Sequence, residues 1–160
     1  MELEVLSMLR LEAFVEFRHL ASAETKYVND ANELIAEELI YKFTTFKNRE
    51  AYLLMDGDKV IGNLFLVYKS DNQELYIDLI ALLKAYHGTS AASLLMDKVF
   101  EIAKRNHCKQ ISLVVRNDND RAMRFYTRYG FIYQEQFDAQ RLTYVCPLKP
   151  TGVPPIFINW

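Results

Sequence analysis

The sequence has no long apolar run and no large excess of charge of either sign. No stretch approaches the roughly 18 consecutive apolar residues that a membrane span requires, and the N-terminal residues MELEVLSML lack the basic region of a signal peptide. The formal net charge of -2 argues against a nucleic-acid binder, since such proteins usually carry a basic excess. We therefore expect a cytoplasmic protein that binds neither membranes nor nucleic acids.

Cysteine is scarce, and internal repeats and low-complexity segments are absent from the sequence. Cys108 and Cys146 lack the spacing of metal ligands, so we interpret them as reduced thiols and expect no metal. His107 and Cys108 are adjacent and cannot share one face of a helix or strand, which disfavours a cysteine nucleophile. Apolar residues, in contrast, make up 51% of the 160 residues, enough for the core of one domain. We predict a single domain over residues 1–148, followed over residues 149–160 by a proline-rich and then apolar tail that docks on the domain or joins a partner, including a second copy.

The middle of the chain predicts an antiparallel meander followed by a parallel crossover. The strands AYLLM and KVIGNLFLVY meet across Asp56-Gly57, a pair that favours a tight hairpin, and LYIDLIALL follows a turn at Ser70-Asp71-Asn72. A helix from Gly88 to Asn106 then leads to the strand QISLVV, so the strands before and after this helix should pair in parallel. The predicted buried face of the helix comprises Leu95, Val99, Ile102 and Ala103.

Two helices are predicted ahead of the meander, after a short strand from Glu2 to Leu6. Ser7 is the expected N-cap of the first helix, and Ala21 to Asp30 is predicted as a loop. The predicted apolar faces are Leu9, Ala13, Phe17 and Leu20 in the first helix, and Ile35, Leu39, Phe43 and Phe46 in the second. With a closing antiparallel pair, FIYQEQF and RLTYVCPL, the order is β-α-α-β-β-β-α-β-α-β-β. The predicted fold is α/β (α+β mixed), with a mostly antiparallel mixed sheet of about six to seven strands and about four helices.

The segment RNDNDRAMRFYTRYGFI, residues 116–132, carries the most information. Asn117, Asp118 and Asn119 can each cap a helix start, because a short side-chain oxygen accepts an unpaired N–H of the first turn. The apolar stripe of the helix comprises Ala122, Phe125, Tyr126 and Tyr129. Gly130 is expected to end the helix in the left-handed conformation, before a strand that starts at Phe131 and Ile132. The segment therefore places a phenol, Tyr126, within an apolar stripe beside a polar loop.

The chain resembles the GNAT superfamily of acyl-CoA-dependent N-acyltransferases, from about Ala51 to Leu148. The best match is the pattern Asn119-x-x-Ala122-x-x-x-Tyr126-x-x-x-Gly130-Phe131. The strand ending IALL and the following KAYHGTSAASLL stand where the family has its pyrophosphate loop, and the spacing from Ala92 to Asn119 agrees with the family without a gap. The resemblance implies a GNAT-type fold and transfer of an acetyl group from acetyl-CoA to a primary amine by direct attack in a ternary complex.

The resemblance also implies which residues meet acetyl-CoA. The family's loop usually has arginine or glutamine, glycine, and glycine or alanine at the positions that hold His87, Ser90 and Ala92 here, so His87 and Ser90 depart from the pattern. A helix N-terminus with its unpaired N–H groups suits a diphosphate, although on its own this loop is also an ordinary helix start. Arg124 and Arg128 are further candidates for the nucleotide phosphate. The implied cofactor-binding residues are Ile80, Ala81, Leu82, His87, Gly88, Thr89, Ser90, Ala91, Ala92, Ser93, Asn119 and Tyr126.

The chemistry requires a proton to leave the amine and a proton to reach the departing thiolate. A lysine-like amine with a pKa near 10.4 costs roughly 4 to 5 kcal/mol to deprotonate at neutral pH, and a carboxylate can assist. By resemblance Tyr126 is the acid, while Asp78 is the candidate base and Glu74, further back on the strand, is the second candidate. Taken alone, Tyr126 can also be interpreted as a core aromatic residue and Asp78 as a solvent-facing charge.

Two other function classes stay open at this point. The chain can be a GNAT-fold module that has lost turnover and serves in binding or assembly, which the departures at His87 and Ser90 favour, whereas Tyr126 favours the enzyme. It can also be an unrelated mixed α/β domain, which the gap-free spacing disfavours. In the family the first two helices and their loop shape the acceptor pocket. Tyr27, Tyr41, Phe43 and Phe46 are therefore either core residues or part of that pocket.

Overall fold

The helices and strands follow the order that the sequence predicts. A computed structural model of the protein describes residues 1–149. Within them lie seven strands and four α-helices: β1 (Glu2–Val5), α1 (Leu11–Glu24), α2 (Glu33–Thr45), β2 (Arg49–Asp56), β3 (Lys59–Lys69), β4 (Glu74–Leu82), α3 (Ser90–Arg105), β5 (Gln110–Arg116), α4 (Asp120–Arg128), β6 (Ile132–Gln136) and β7 (Arg141–Pro147). Short 3-10 helices cover Met8–Arg10 and Lys84–Tyr86. The strands form one mixed sheet in the order β1-β2-β3-β4-β5-β7-β6.

One compact unit comprises Met1–Val67 and Asp78–Lys98. Its β2–β3 hairpin turns at Gly57, whose φ of +62° suits glycine, and Asp56 pairs with Lys59 as the sequence predicts. Three phenylalanines of its core are in contact, since Phe14 of α1 and Phe43 of α2 pack on Phe65 of β3 with ring centroids 5.7 Å and 4.8 Å away. These contacts bury one face of each helix against the hairpin.

The other compact unit contains Tyr68–Ile77 and the described residues from Val99 onward. Its parallel β4–β5 ladder confirms the crossover prediction, and it runs from Glu74 opposite Gln110 to Tyr76 opposite Ser112. β5 pairs antiparallel with β7, and β7 pairs antiparallel with β6, as expected for the closing pair. The apolar core of this unit includes the buried side chains of Ile111, Leu113, Phe131, Val145 and Cys146.

The predicted faces of the first two helices are partly wrong. Ser7 makes no side-chain cap hydrogen bond, and a 3-10 turn follows it, so α1 begins only at Leu11 and Leu9 is 94% exposed. The buried positions of α1 are Phe14, Phe17, Arg18 and Ala21, and those of α2 are Ala36, Ile40 and Phe43. In α2 the stripe is rotated by about one residue, which leaves Ile35 and Phe46 exposed. α1 also continues to Glu24, into the segment predicted as loop.

The face of the third helix is confirmed, because Leu95, Val99, Ile102 and Ala103 are all buried. Among residues 1–149, no helix combines the length and the apolar character that crossing a membrane requires. The single domain over residues 1–148 stays a prediction. Residues 150–160, and with them the expected docking or dimer role of the tail, lie outside the described residues.

Candidate active site

The predicted site residues fall into two groups, one in each compact unit. The end of β4, the following loop and the start of α3 belong to the first unit, together with Asp78. Asn119 and Tyr126 belong to the second unit, together with Glu74. Each group is built by different local and long-range contacts.

The loop after β4 is anchored by three residues distant in sequence. The backbone N–H of Leu83 donates to the carbonyl of Ile61 at 2.9 Å, and the N–H of Lys84 donates to the Glu24 carboxylate at 2.7 Å. The Tyr86 hydroxyl donates to Asp56 Oδ2 at 2.6 Å, and this bond to a carboxylate raises the pKa of Tyr86. The loop therefore enters α3 along a path that residues outside the loop define.

His87 faces back toward the strand that precedes it. Its Nε2 lies 3.0 Å from the carbonyl oxygen of Leu82, and because a carbonyl only accepts, Nε2 carries the proton. Nδ1 is buried without a partner in the described part of the chain. His87 thus holds the loop to the end of β4.

Gly88 and Thr89 shape the start of α3. Gly88 has a φ of +75°, a left-handed conformation that favours glycine, with open space where a Cβ would lie. The Thr89 hydroxyl donates to the Tyr86 carbonyl at 2.6 Å and accepts the N–H of Ala91 at 3.2 Å. Gly88, Thr89, Ser90 and Ser93 are exposed, Ala92 is half-buried and Ala91 is buried. The predicted pyrophosphate loop is therefore an accessible start of a helix of 16 residues, which favours anions.

Gly62 of β3, which the sequence predictions did not select, supports the end of β4. A Cβ on Gly62 would lie 3.1 Å from the Ala81 carbonyl oxygen and 3.2 Å from Leu82 Cδ1. A single glycine inside a strand pattern, as in KVIGNLF, is a signal of such a close approach. Glycine at this position therefore leaves room for the backbone that the resemblance assigns to the cofactor, at Ile80, Ala81 and Leu82.

A buried polar cluster fixes the loop between α1 and α2. Arg18 is 4% exposed and donates to the Asn63 side chain at 3.1 Å and to the Asn29 carbonyl at 2.6 Å. Desolvation lowers the pKa of Arg18, partly offset by the charge of Asp30. Arg18 lies on the buried face of α1 that the structure shows and not on the predicted stripe, so the local sequence pattern did not indicate this cluster. Through it, β3 holds the loop between α1 and α2.

In the second unit, α4 has the predicted beginning and end. Of the three possible caps, Asn119 is the one used, since its Oδ1 accepts the N–H of Ala122 at 3.2 Å. At the other end Gly130 has a φ of +95°, and the N–H of Phe131 donates to the Tyr126 carbonyl at 3.1 Å. Asn119 Oδ1 is therefore already engaged in capping the start of α4.

Tyr126 is the most buried aromatic residue of α4. It is 8% exposed, and its ring packs on Phe131 and Phe125 at centroid distances of 5.7 Å and 5.5 Å. Its hydroxyl makes no hydrogen bond to other residues of the 1–149 range, and burial raises the pKa of Tyr126 above that of an ordinary phenol. The phenol is therefore neutral at physiological pH and able to donate.

The two acidic candidates have different surroundings. Glu74 is buried, and its two carboxylate oxygens accept hydrogen bonds from Gln110 Nε2 and from Ser112 Oγ, the latter at 2.7 Å. Lys69 Nζ lies 3.7 Å from the same carboxylate. Asp78, in contrast, is an exposed residue of β4. The structure thus gives Glu74 structural partners that the sequence did not indicate, Gln110 and Ser112.

Both cysteine side chains are buried free thiols. Desolvation, with a contribution from Glu74, raises the pKa of Cys108 to about 11, and burial raises the pKa of Cys146 to about 12. Thiols with such pKa values stay protonated at neutral pH and are poor nucleophiles. Among residues 1–149, no three side chains of His, Cys, Asp or Glu form a group that could hold a metal ion.

Comparison with known proteins identifies the family. The sequence model of the acetyltransferase (GNAT) family matches residues 14–131, most of the chain. The chain belongs to the GNAT family of acetyltransferases. It is therefore grouped with acyltransferase enzymes, and the resemblance drawn from Asn119, Tyr126 and Gly130 is confirmed at the level of the family.

Two relatives and one solved structure illustrate the range of this similarity. An N-alpha-acetyltransferase 30 of Schizosaccharomyces pombe is 27% identical over 117 residues, which cover 66% of this chain and 78% of the relative. An uncharacterized N-acetyltransferase of Mycobacterium tuberculosis is 30% identical over 102 residues, 64% of each chain. The solved PaiA N-acetyltransferase of Thermoplasma acidophilum, in complex with coenzyme A, shares the fold with a TM-score of 0.68 at 16% identity, covering 91% of this chain and 98% of its own. These similarities confirm the predicted fold class.

Proposed function

We propose that this GNAT protein is an N-acetyltransferase that moves the acetyl group of acetyl-CoA to a primary amine by direct attack in a ternary complex. The observation that carries the proposal is the short parallel ladder of β4. It contains three residue pairs and ends at Tyr76, whereas β4 continues to Leu82. An extended ligand with amide groups can pair with strand backbone as an added strand does, and pantetheine is such a ligand.

The start of α3 is the proposed diphosphate site. The residues from Gly88 to Ser93 present the N-terminus of α3, where backbone N–H groups and the helix dipole favour negative charge. Ser90 replaces the family's glycine but brings a hydroxyl donor. The anchors at Glu24, Asp56 and Ile61 hold the loop in place before the ligand arrives, which reduces the ordering cost of binding.

Tyr126 is the proposed proton donor to the departing sulfur. A thiol has an ordinary pKa of about 8.5, and the buried phenol has a higher pKa. Tyr126 is therefore still protonated at the pH at which the departing thiol ionises. Its hydroxyl can therefore stabilise the negative sulfur by a hydrogen bond as the carbon–sulfur bond breaks.

Asp78 is the proposed base, directly or through water, since an exposed carboxylate on β4 can accept a proton from the incoming ammonium. Glu74 suits this role less well, because Gln110 and Ser112 already occupy its oxygens. An amine acceptor is also consistent with the fission yeast relative, which is named as an N-alpha-acetyltransferase. Acetyl-CoA as donor is consistent with the Thermoplasma relative, which holds coenzyme A. A cytoplasmic location is part of the same proposal.

The second candidate function is a binding or assembly module without turnover. The observation in its favour is that the position of the family's arginine or glutamine holds His87, whose Nε2 is engaged by Leu82. In this case the loop would lack a side chain directed at phosphate, and affinity for acetyl-CoA would be lost.

A melting experiment separates the two candidates. Acetyl-CoA at about 100 times its dissociation constant stabilises a specific binder by about 2.7 kcal/mol, which raises the melting temperature by several degrees. We expect this shift with acetyl-CoA and with CoA, and none with acetate. An unchanged melting temperature at millimolar acetyl-CoA would contradict the enzyme. If the shift occurs, a thiol-release screen over amines, including N-terminal peptide amines, tests turnover.

A further inference from the structure

Helix α2 presents a largely exposed apolar face, with the Arg49 guanidinium 5.6 Å from the centre of the Phe46 ring at its C-terminal end. Leu34 is 65% exposed, Tyr41 63% and Phe46 49%, and together with Glu37, Glu38 and Lys42 they line one shallow cavity, which we call the α2 patch. The rings of Tyr41 and Phe46 meet edge to face with centroids 6.4 Å apart, so the patch has an ordered aromatic centre. Contiguous exposed apolar surface with a polar rim is typical of an interaction site.

The patch carries charge of both signs. Glu37 and Glu38 lie toward the N-terminal half of α2 and Lys42 toward the C-terminal half, and none of the three makes an ion pair within residues 1–149. Leu34, Glu38 and Tyr41 recur at a spacing of four and then three residues, which aligns them along one side of the helix. An occupant that matches the patch must therefore offer apolar groups at both ends and opposite charges between them.

A second copy of α2, antiparallel to the first, meets this requirement. About a two-fold axis at the level of Ile40, positions at equal distances on either side lie at the same level along the two helices. Leu34 is then level with Phe46 of the second copy, because both are six positions from Ile40. Glu38 lies opposite Lys42 of the second copy, because both are two positions away, and the symmetry makes this pair twice.

Other occupants fit the charges less well. Residues 150–160 are apolar in part but contain no charged residue, so they leave Glu38 and Lys42 unmatched. A basic peptide complements Glu37 and Glu38 but is repelled by Lys42. We propose that the chain forms a homodimer through antiparallel packing of α2 on α2, with Tyr41 near the axis. A helix of 13 residues is about 20 Å long, so the contact is small and the association reversible and concentration-dependent.

Sedimentation velocity of the full chain, from micromolar to millimolar concentration, tests this interface by charge exchange. Glu38→Lys and Lys42→Glu each place like charges opposite one another twice, and each is expected to raise the dimer dissociation constant about tenfold. The double variant E38K/K42E restores opposite charges and should return the constant to the wild-type value. Glu16→Lys, an exposed reversal on α1, is the matched control and should leave it unchanged.

Three outcomes would overturn the proposal. A wild-type chain that stays monomeric at millimolar concentration has no such interface. A double variant that associates no better than the single ones places another partner on the patch. Loss of the dimer on deletion of residues 150–160 would assign the contact to the tail. Circular dichroism of each variant verifies that α2 still folds, and Tyr41→Ser, which removes the aromatic centre without changing charge, should weaken the dimer as well.

Discussion

The loop after β4 and the helix α4 carry the two halves of the proposed chemistry, and they are built in opposite ways. α4 begins at its own Asn119 and ends at its own Gly130, so contacts over three to five residues define it. The loop depends on Glu24, Asp56 and Ile61, which are 60, 30 and 22 positions away from the residues they bind, Lys84, Tyr86 and Leu83. The conformation of α4, which depends on local contacts, can therefore be predicted from a sequence motif. The conformation of the loop after β4, which depends on distant residues, cannot.

The largest effect is expected at Tyr126, the reactive group of the locally built half. Tyr126→Phe removes the proton donor but keeps the ring packed on Phe131, so kcat should fall about 100-fold. Steady-state kinetics and the dissociation constant of acetyl-CoA, measured by calorimetry, separate chemistry from binding. Tyr133→Phe, at an exposed tyrosine of β6, is the control and should leave both unchanged. Equal losses of kcat and of cofactor affinity in the Tyr126 variant would make the residue structural.

The anchored half should respond to a change that touches no loop residue. Gly62→Ala places a Cβ 3.1 Å from the Ala81 carbonyl, so the end of β4 must shift, and the dissociation constant of acetyl-CoA should rise about tenfold with kcat less affected. Gly57→Asn is the matched control in the same hairpin, because open space surrounds Gly57 and asparagine tolerates its positive φ. Calorimetric titration measures the dissociation constant of acetyl-CoA for both variants. An unchanged constant for the Gly62 variant would show that β4 does not bind the cofactor there.

Two of the left-handed glycines, one in each half, allow the stability of the halves to be compared directly. Gly130 is buried at the end of α4 with a φ of +95°, and Gly88 is exposed in the loop with a φ of +75°. Each change to alanine costs about 1 to 2 kcal/mol for the backbone conformation, and the Gly130 variant should lose more because its Cβ enters buried surroundings. Urea unfolding gives both values. A greater loss at Gly88 would mean that the loop, and not α4, is the more tightly constrained half.

The smallest effect is expected in the pH dependence of stability. The pKa of Tyr126 is higher in the folded than in the unfolded state. Its contribution to the free energy of unfolding is therefore fully present below the unfolded pKa of about 10, and it is lost as the pH rises from there toward the folded pKa. Wild-type protein should therefore lose stability above about pH 10 more steeply than Tyr126→Phe. Urea midpoints measured from pH 8 to 11 test this. Parallel curves for the two proteins would show that the phenol is not desolvated as described.

Short-range patterns predicted much of the fold. The hairpin at Asp56-Gly57 and the end of α4 at Gly130 each follow from a few adjacent residues. The crossover from β4 to β5 follows from the order strand, helix, strand, and all three are confirmed. The apolar faces of α1 and α2 were predicted less well, because a 3-10 turn after Ser7 and a rotation of about one residue changed the phase of the stripes. Periodicity predicts the spacing of the apolar residues along a helix, but packing decides which of them face the core.

The candidate site was predictable to the same limited extent. The residues Asn119, Tyr126 and Gly130 were selected from one motif, and their family assignment is confirmed, while their roles in binding and catalysis stay predictions. Gly62 was missed although a glycine within a strand was a usable signal. Arg18 and Asn63 were missed because a buried polar pair 45 positions apart leaves almost no trace in local sequence.

The identity of the family, the order of the elements and the capped helix around Tyr126 follow from the amino-acid order, since propensity, capping and turn chemistry act over a few residues. Tertiary packing is responsible for the properties on which reactivity depends. It desolvates the Tyr126 hydroxyl and engages Glu74 with Ser112, 38 positions away. Protonation and hydrogen bonding depend on all groups within a few ångströms, and folding brings those groups together from distant parts of the chain.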